Sequence, residues 1–346
     1  MTDFNQESSS IPDSPLMDDL PPVQPPSAGF IVQLFLFPAL IVMGVIAIWW
    51  MFGLIAREEQ DWHKLLQDLQ SQNLHIRNRA MYGLAQVLDQ DSRRDDQGHQ
   101  LRANREIAQG LADQLMIELR KNSTSKEGVA IQEYLTRALG MMDSLDVTAP
   151  ALQMAMEPQR DVDIRKSAVV SLSFVAGRAM ERGQPLNAPE TVDALIQMSG
   201  DPLPVLQHSA AFALGLFSSP EANHQLEVLL GSGDQMTRVN AAIGLARHGS
   251  TAGFSVFIDS LKVPAVSETP KSETSSESGS TIDSEQFMVV KNVLKAVSEL
   301  ASKFNGSQRQ ELTPLLNELS DHHPEIRIRV DAAAALNALK ANSDKS

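Results

Sequence analysis

The stretch from Phe30 to Ala56 constrains this chain more than any other, because none of its 27 residues carries a charge. A helix rises about 1.5 Å per residue and a bilayer core is about 30 Å thick, so roughly 20 apolar residues cross it. The stretch therefore predicts one transmembrane helix over residues 30–56, with length to spare for tilt. Most of the chain that follows is polar, which predicts a soluble domain held at a membrane by this helix.

Two other interpretations of the apolar stretch fit less well. A cleavable signal peptide has a basic start, a shorter apolar core and a small-residue cleavage site. The first 29 residues instead contain five acids and no Lys or Arg, and no A-x-A pattern closes the stretch. A buried core helix is seldom this long or this uniformly apolar.

Tryptophans and a basic residue mark the C-terminal end of the stretch and predict a membrane interface there. Trp49, Trp50 and Trp62 lie where an interfacial aromatic belt is expected, and Arg57 follows the stretch directly. Lys and Arg flank it on the C-terminal side alone, and these residues favour the cytoplasm. We therefore expect a single-pass protein of the inner, cytoplasmic membrane, with its N-terminus outside and its large domain in the cytoplasm.

Low-complexity composition sets the limits of the large domain. The acidic, Pro- and Ser-rich tail 1–29 cannot bury a core and is predicted to be disordered. The same holds for an insertion over 263–286, VPAVSETPKSETSSESGSTIDSEQ. The folded domain is then expected over 57–340, followed by a flexible C-terminus, 341–346.

Charge and residue usage narrow the function classes. The formal net charge is −14, which argues against a nucleic-acid partner, because such proteins need an excess of Lys and Arg to displace counterions. The chain has no cysteine, so a disulfide framework, a thiolate metal site and a cysteine nucleophile are excluded. Aromatic residues make up 5% and strand formers are not clustered, as is typical of an all-α domain.

A repeated pattern occupies most of the domain. Its clearest copies, 73–84, 161–172, 234–245 and 325–336, share a polar start, Ile or Thr followed by Arg, an Ala anchor three residues later and a Leu four further on. Weaker copies lie near 131–139, 201–214 and 290–298. The seven anchor positions are Ala80, Leu135, Ala168, Ala210, Ala241, Leu294 and Ala332.

The pattern predicts pairs of helices that stack. Residues at i and i+4 share a helix face, and a small anchor lets a partner helix approach closely. Each copy is preceded by another amphipathic segment, and short turns separate the two. One pair cannot bury its apolar face alone, whereas stacked pairs share a continuous core. We therefore expect an all-α solenoid of about seven antiparallel helix pairs, preceded by one transmembrane helix.

The motif Asp/Asn/Glu-x-x-Ile/Thr-Arg-x-x-Ala-x-x-x-Leu resembles the HEAT-repeat family, including the short HEAT-like repeats of phycobilisome-lyase-type proteins. The resemblance covers about 280 residues, from Asp61 to Lys340, and the whole layout is similar to bacterial membrane-anchored HEAT-repeat proteins. It implies a curved solenoid that serves as a binding surface or scaffold.

The arginine of the motif recurs as Arg77, Arg165, Arg238 and Arg329. One interpretation is a row of donors for an acidic partner. The other, which the resemblance favours, is a structural ladder between repeats in which each arginine pairs with an acid such as Asp163 or Asp234, because stacking creates interfaces between neighbouring repeats.

No catalytic or metal-binding motif accompanies the repeats. P-loop, G-x-S-x-G and G-x-G-x-x-G patterns are absent, and no two of the eight histidines have H-x-x-x-H or H-E-x-x-H spacing. We therefore predict no enzyme, cofactor or metal site, but a membrane-tethered scaffold for a protein partner. The alternative is a lyase-type or ligand-handling HEAT-repeat protein, which needs a cleft with convergent polar groups. The two tyrosines, Tyr82 and Tyr134, are instead core candidates.

Overall fold

The computed structural model of this chain describes residues 28–55, 61–94, 100–184, 186, 188–262 and 279–341. Within these ranges every regular element is a helix, and no strand occurs. The residues divide into two compact units, one within 1–59 and one within 60–346. The all-α prediction is confirmed.

The first unit contains a single described helix, α1, which runs from Ala28 to Ile55 and continues through Pro38. Its central residues, Val32–Met51, have a mean hydropathy of 2.4, and none of this window is buried. The helix is thus long and apolar enough to cross a membrane.

The second unit contains seven helix pairs, as the repeat pattern predicts. The first helices of the pairs are α2 Trp62–Leu69, α4 Arg105–Arg120, α6 Leu145–Met156, α8 Pro189–Ser199, α10 Pro220–Leu229, α12 Phe254–Leu261 and α14 Gly306–His322. The second helices are α3 Leu74–Arg93, α5 Lys126–Leu139, α7 Val162–Glu181, α9 Pro204–Leu214, α11 Gln235–Arg247, α13 Gly279–Glu299 and α15 Ile326–Ala341. A short 3₁₀ helix, Leu101–Ala103, precedes α4.

Polar residues in the turns explain where the helices begin. The Asp161 carboxylate accepts a hydrogen bond from the Asp163 amide, and the Asp234 carboxylate accepts one from the Thr237 amide. At α14 the cap is reciprocal: Asn305 and Gln308 each accept a hydrogen bond from the other's amide. These caps satisfy amide groups that have no partner inside the helix.

The pairs stack in two layers that share a core. Each second helix packs against the second helix of the next repeat, and most first helices do the same in their own layer. All seven anchors are at most 1% exposed, which confirms that the repeated Ala or Leu faces the core. Buried residues form two hydrophobic clusters, and α11 contributes to both.

Glycines bring α9 and α11 unusually close together. A Cβ atom added at Gly215 would lie 2.6 Å from the Cα of Gly244, and one added at Gly244 would lie 2.9 Å from the Cα of Gly215. Contacts this short are forbidden to real side chains, so the two backbones meet where neither residue carries one.

The end of the predicted insertion overlaps the beginning of a helix. Residues 279–286 were expected in the low-complexity segment, but they form the beginning of α13. Helix formers such as Glu285 and Gln286 lead directly into the apolar periodicity that starts at Phe287, so the helix extends back through them. Residues 263–278, 1–27 and 342–346 lie outside the described residues, and with them most of the predicted disorder.

Candidate binding groove on the second helices

A groove of about 860 Å³ runs along the exposed side of four consecutive second helices. We call it the second-helix groove and define it by its lining on α7, α9, α11 and α13. The residues of α7 are Val170, Ser173, Phe174, Gly177, Arg178, Met180 and Glu181; the remaining helices and their ends supply His208, Ser209, Phe212, Leu216, Asn240, Ile243, Arg247, Asn292, Lys295, Ala296 and Glu299.

The middle of the groove is apolar. Phe174 on α7 is 60% exposed and Phe212 on α9 is 39% exposed, whereas ordinary aromatic side chains of a soluble domain are mostly buried. Val170 and Ile243 extend this apolar strip on either side. Exposed apolar surface inside a concave feature is typical of a site that binds a partner or ligand.

Arg247 lies beside this strip and is largely desolvated. Its guanidinium carbon lies 5.1 Å from the centre of the Phe212 ring, within range of a cation–π contact. The Nη1 atom is buried without a hydrogen-bond partner among the described residues. Burial lowers the pKa of Arg247, although the Glu299 carboxylate acts in the opposite direction. The groove thus holds a cation that the fold leaves incompletely satisfied.

The opposite end of the strip is polar and already hydrogen-bonded. The Asn240 amide donates to the His208 carbonyl oxygen at 2.9 Å. The His208 ring is partly buried, and this desolvation lowers its pKa, while the Asp234 carboxylate, 3.9 Å from Nδ1, acts to raise it. The polar groups at this end are therefore already engaged with other parts of the protein. They have fewer hydrogen bonds left to offer a ligand than Arg247 has.

A second cavity of about 620 Å³ lies beside the ends of α3 and α7. Its lining includes Arg182 and Asp143, and the Asp143 carboxylate is shared by Arg178 and Arg182 at 2.8 Å each. Burial acts to raise the pKa of Asp143, but the two arginines more than offset this and hold it below its usual value. These charges are engaged with each other, so we place the candidate site in the second-helix groove.

The predicted arginine ladder divides into two kinds of contact. Arg77 and Arg165 reach acids of the following repeat: Arg77 lies 3.6 Å from Glu118, and Arg165 forms a buried pair with Asp201. The partner of Arg165 is therefore Asp201.

The other two arginines remain within their own repeat. Arg238 donates to the Ser232 carbonyl oxygen at 2.7 Å, and Arg329 donates to the His323 carbonyl oxygen at 3.0 Å. Gln207, at the same repeat position, donates to the Asp201 carbonyl oxygen at 2.6 Å. In all three the side chain reaches back six residues to a turn, where carbonyl groups lack helical partners. Asp234, a predicted partner, instead caps α11.

The predicted membrane-interface residues lie in different places. Trp49 and Trp50 are exposed on α1. Trp62 begins α2, is partly buried against the larger hydrophobic cluster and stacks on His63 with ring centres 3.5 Å apart. Arg57 lies outside the described residues. The interface role of these four residues stays a prediction.

The tyrosines separate into one core residue and one surface residue. Tyr134 packs against the larger cluster and donates to the Met81 carbonyl oxygen, and burial raises its pKa to about 12. Tyr82 is 70% exposed, so its assignment to the core was wrong. It lies two residues after the anchor Ala80, a position that faces away from the partner helices. Within the described residues, no group of three or more His, Asp or Glu side chains could hold a metal ion.

The groove residues themselves were not identified from the sequence. Val170, Phe212 and Ile243 lie two residues after their anchors, and Phe174 and Arg247 lie six after theirs. Both offsets line the groove, and the first of them holds an apolar side chain, where a polar one is expected, in three consecutive copies. Aligning the copies on their anchors would have revealed this row.

Comparison with known proteins agrees with the repeat architecture. Residues 192–270, which span α8 to α12, match the family model of HEAT repeats. The predicted resemblance is thereby confirmed, and the match contains the parts of the second-helix groove on α9 and α11 but not those on α7 and α13. No curated protein matches the chain.

Three solved structures are among those that match this chain. Human deoxyhypusine hydroxylase is 18% identical, with a TM-score of 0.30, over 82% of this chain and 97% of its own. A designed armadillo repeat protein is 16% identical, with a TM-score of 0.38, over 81% and 100%. Kap121p is 15% identical, with a TM-score of 0.47, over 85% of this chain and 31% of its own. At these values the similarity assigns no activity or partner to this chain.

Proposed function

We propose that this chain is a membrane-tethered HEAT-repeat scaffold that binds a protein partner in the second-helix groove. The observation that carries the proposal is the row of exposed apolar side chains in that groove, with Phe174 and Phe212 at its centre. Large aromatic side chains give much of the binding energy at protein interfaces when a partner covers them. The exposure of Phe174 and Phe212 in two consecutive repeats fits a surface that is covered in the complex.

Helix α1 supplies the tether in this proposal. Its window of 20 residues is uncharged, and its side chains are exposed throughout. An unpaired apolar helix of this length is stable in a bilayer and would promote aggregation in water. The absence of Lys and Arg before it supports a cytoplasmic location for the helical repeats.

The groove is tested by retention of partners in gentle detergent, using full-length protein and mass spectrometry. A Phe174→Ser, Phe212→Ser double variant should lose the partners that the unchanged protein retains. The matched control is Val228→Ser on α10, because Val228 is also 56% exposed but lies in the first-helix layer. Equal partner sets for all three proteins would refute the groove as the binding surface.

The tether is tested separately by removing residues 1–56. The shortened protein should leave the membrane fraction while its repeats stay folded by circular dichroism. Protease added to sealed inner-membrane vesicles of known orientation then reports the side on which the repeats lie. Cleavage from the periplasmic side would contradict the proposed topology, and membrane retention of the shortened protein would contradict the tether.

A further inference from the structure

Arg247 distinguishes the second-helix groove from a purely apolar one. Other arginines nearby have partners: Arg178 binds Asp143, and Arg165 binds Asp201. Arg247 instead stacks on Phe212 with Nη1 buried and unbonded among the described residues, while the residue as a whole is only partly buried and lines the groove. A desolvated guanidinium gains more from a carboxylate than a solvated one does, because its water has already been removed.

From this geometry we propose that the second-helix groove binds an extended acidic segment of a partner protein, with a carboxylate of that segment paired to Arg247 and its apolar side chains on Phe174 and Phe212. The inference rests on the proposed function and names the chemistry of the partner. With Nη1 buried, Nε and Nη2 are the planar pair of donors left for a carboxylate in a bidentate geometry.

The other charges of the groove are compatible with a carboxylate at this point. Lys295 is well exposed and has only a long contact of 3.9 Å with Glu299, so it adds a second cation on α13. Phe174 on α7 occupies the same repeat position as Arg247 on α11. Glu181 lies seven residues beyond Phe174, which places it about 10 Å further along α7. Glu299 and Glu181 would repel a doubly charged phosphate more than a single carboxylate, which favours Asp or Glu over a phosphorylated residue.

The dimensions of the groove set the length of the segment. Neighbouring helices lie about 8–10 Å apart, so the three intervals from α7 to α13 span roughly 27 Å. An extended chain advances about 3.3 Å per residue, and about eight residues therefore cover this distance.

The test uses full-length protein in detergent micelles and a fluorescein-labelled eight-residue peptide of alternating Leu and Glu. Fluorescence anisotropy should show that this peptide binds about tenfold or more tightly than its counterparts with Gln or Lys in place of Glu, since a charge-assisted pair is lost. A counterpart with phosphoserine in place of Glu should bind more weakly, and tighter binding of that peptide would overturn the carboxylate assignment.

Substitutions locate the effect at Arg247. Arg247→Met should weaken the Leu–Glu peptide about tenfold or more, and Arg247→Lys should weaken it less. The control Arg137→Met removes an exposed arginine of another second helix and should leave the affinity unchanged. Equal affinity of a folded Arg247→Met protein and the unchanged protein would overturn the inference, as would loss of binding in Arg137→Met. If Arg247→Met does not fold, full affinity in folded Arg247→Lys would overturn the inference instead, because a lysine cannot replace a bidentate donor.

Two further results separate this inference from its alternatives. Removal of residues 263–278 should leave peptide affinity unchanged; a rise of about fivefold or more would mean that the chain's own acidic segment fills the groove, which would overturn a partner in that role. Failure of the acidic peptide to bind, while partner retention still depends on Phe174 and Phe212, would overturn the acidic segment and leave the proposed function standing.

Discussion

Arg165 and Arg247 show that the same type of side chain can have opposite roles in this protein. Arg165, on α7, is buried with Asp201 of the next repeat, and both side chains are less than 10% exposed. Arg247, on α11, faces the groove and has an aromatic ring in place of a carboxylate. The first arginine is satisfied by the fold, so its role is structural. The second is not, and this difference is what makes it available to a partner.

The largest effect is expected from breaking the satisfied pair. Asp201→Ala leaves the Arg165 charge buried without its partner and removes the acceptor for the Leu203 amide. The free energy of unfolding should fall by about 3–5 kcal/mol, measured by urea denaturation of the repeat domain. Asp193→Ala, an exposed acid on the adjacent α8, is the control and should change stability by less than about 0.5 kcal/mol. A small loss at Asp201 would show that this junction does not depend on the pair.

A somewhat smaller loss is expected where α9 and α11 meet. Gly244→Ala places a methyl group 2.9 Å from the Cα of Gly215, so the helices that carry Phe212 and Arg247 must separate. We expect a loss of about 1–3 kcal/mol in unfolding free energy. Gly177→Ala on α7 is the matched control, because its added methyl group meets nothing within 4 Å and should stabilise the helix by about 0.5–1 kcal/mol. Equal effects at the two glycines would contradict a close backbone approach.

The ion-paired carboxylate of Asp143 should also make the stability of the protein depend on pH, which Arg247 should not do. The pKa of Asp143 is lower in the folded protein than its usual value of 3.8. The stability that this provides is fully present above about pH 5 and is lost as the pH falls below 3.8 toward the folded pKa. Thermal melting between pH 5 and pH 3 should therefore decline less steeply for Asp143→Asn than for the unchanged protein. Parallel declines would indicate that Asp143 keeps an ordinary pKa.

The smallest stability change is expected at Arg247. Arg247→Met removes a charge that lacks an ion-pair partner in the described structure, so the unfolding free energy should change by less than about 1 kcal/mol or rise. The same substitution at Arg165 leaves the Asp201 carboxylate buried alone and should cost several times more. Comparable losses at both positions, by the same denaturation measurement, would remove the contrast between the two arginines.

The fold was predictable because its determinants repeat. Seven anchors and their neighbouring Leu residues indicate the same helix pair again and again, and each copy supports the others. The start of α13 was not identified from the sequence because residues 279–286 are mostly polar, yet they precede an apolar helix that extends into them. Composition shows only that these residues are polar, whereas their helical structure follows from the apolar helix that comes after them.

The groove was less predictable because the sequence does not show which apolar side chains remain uncovered by a neighbouring helix. An exposed Phe174 has the same sequence signal as a buried phenylalanine, and the exposed Tyr82 was assigned to the core for that reason. The arginine ladder shows the same limit. The repeat position of Arg238 and Arg165 is shared, but one donates to its own turn and the other to the next repeat, depending on whether an acid from that repeat lies within reach.

Helix α11 belongs to both hydrophobic clusters, contributing Leu245 to one and Val239 to the other. In a linear array, cooperative unfolding passes from one repeat to the next through such shared contacts, so α11 and Leu230, which packs against both clusters, transmit it between the two halves. One half can then open while the other remains closed, and the amide protons of the open half would exchange with solvent earlier. A segment that lies across α9, α11 and α13 touches both halves at once, so its binding would slow that exchange far from the residues it contacts.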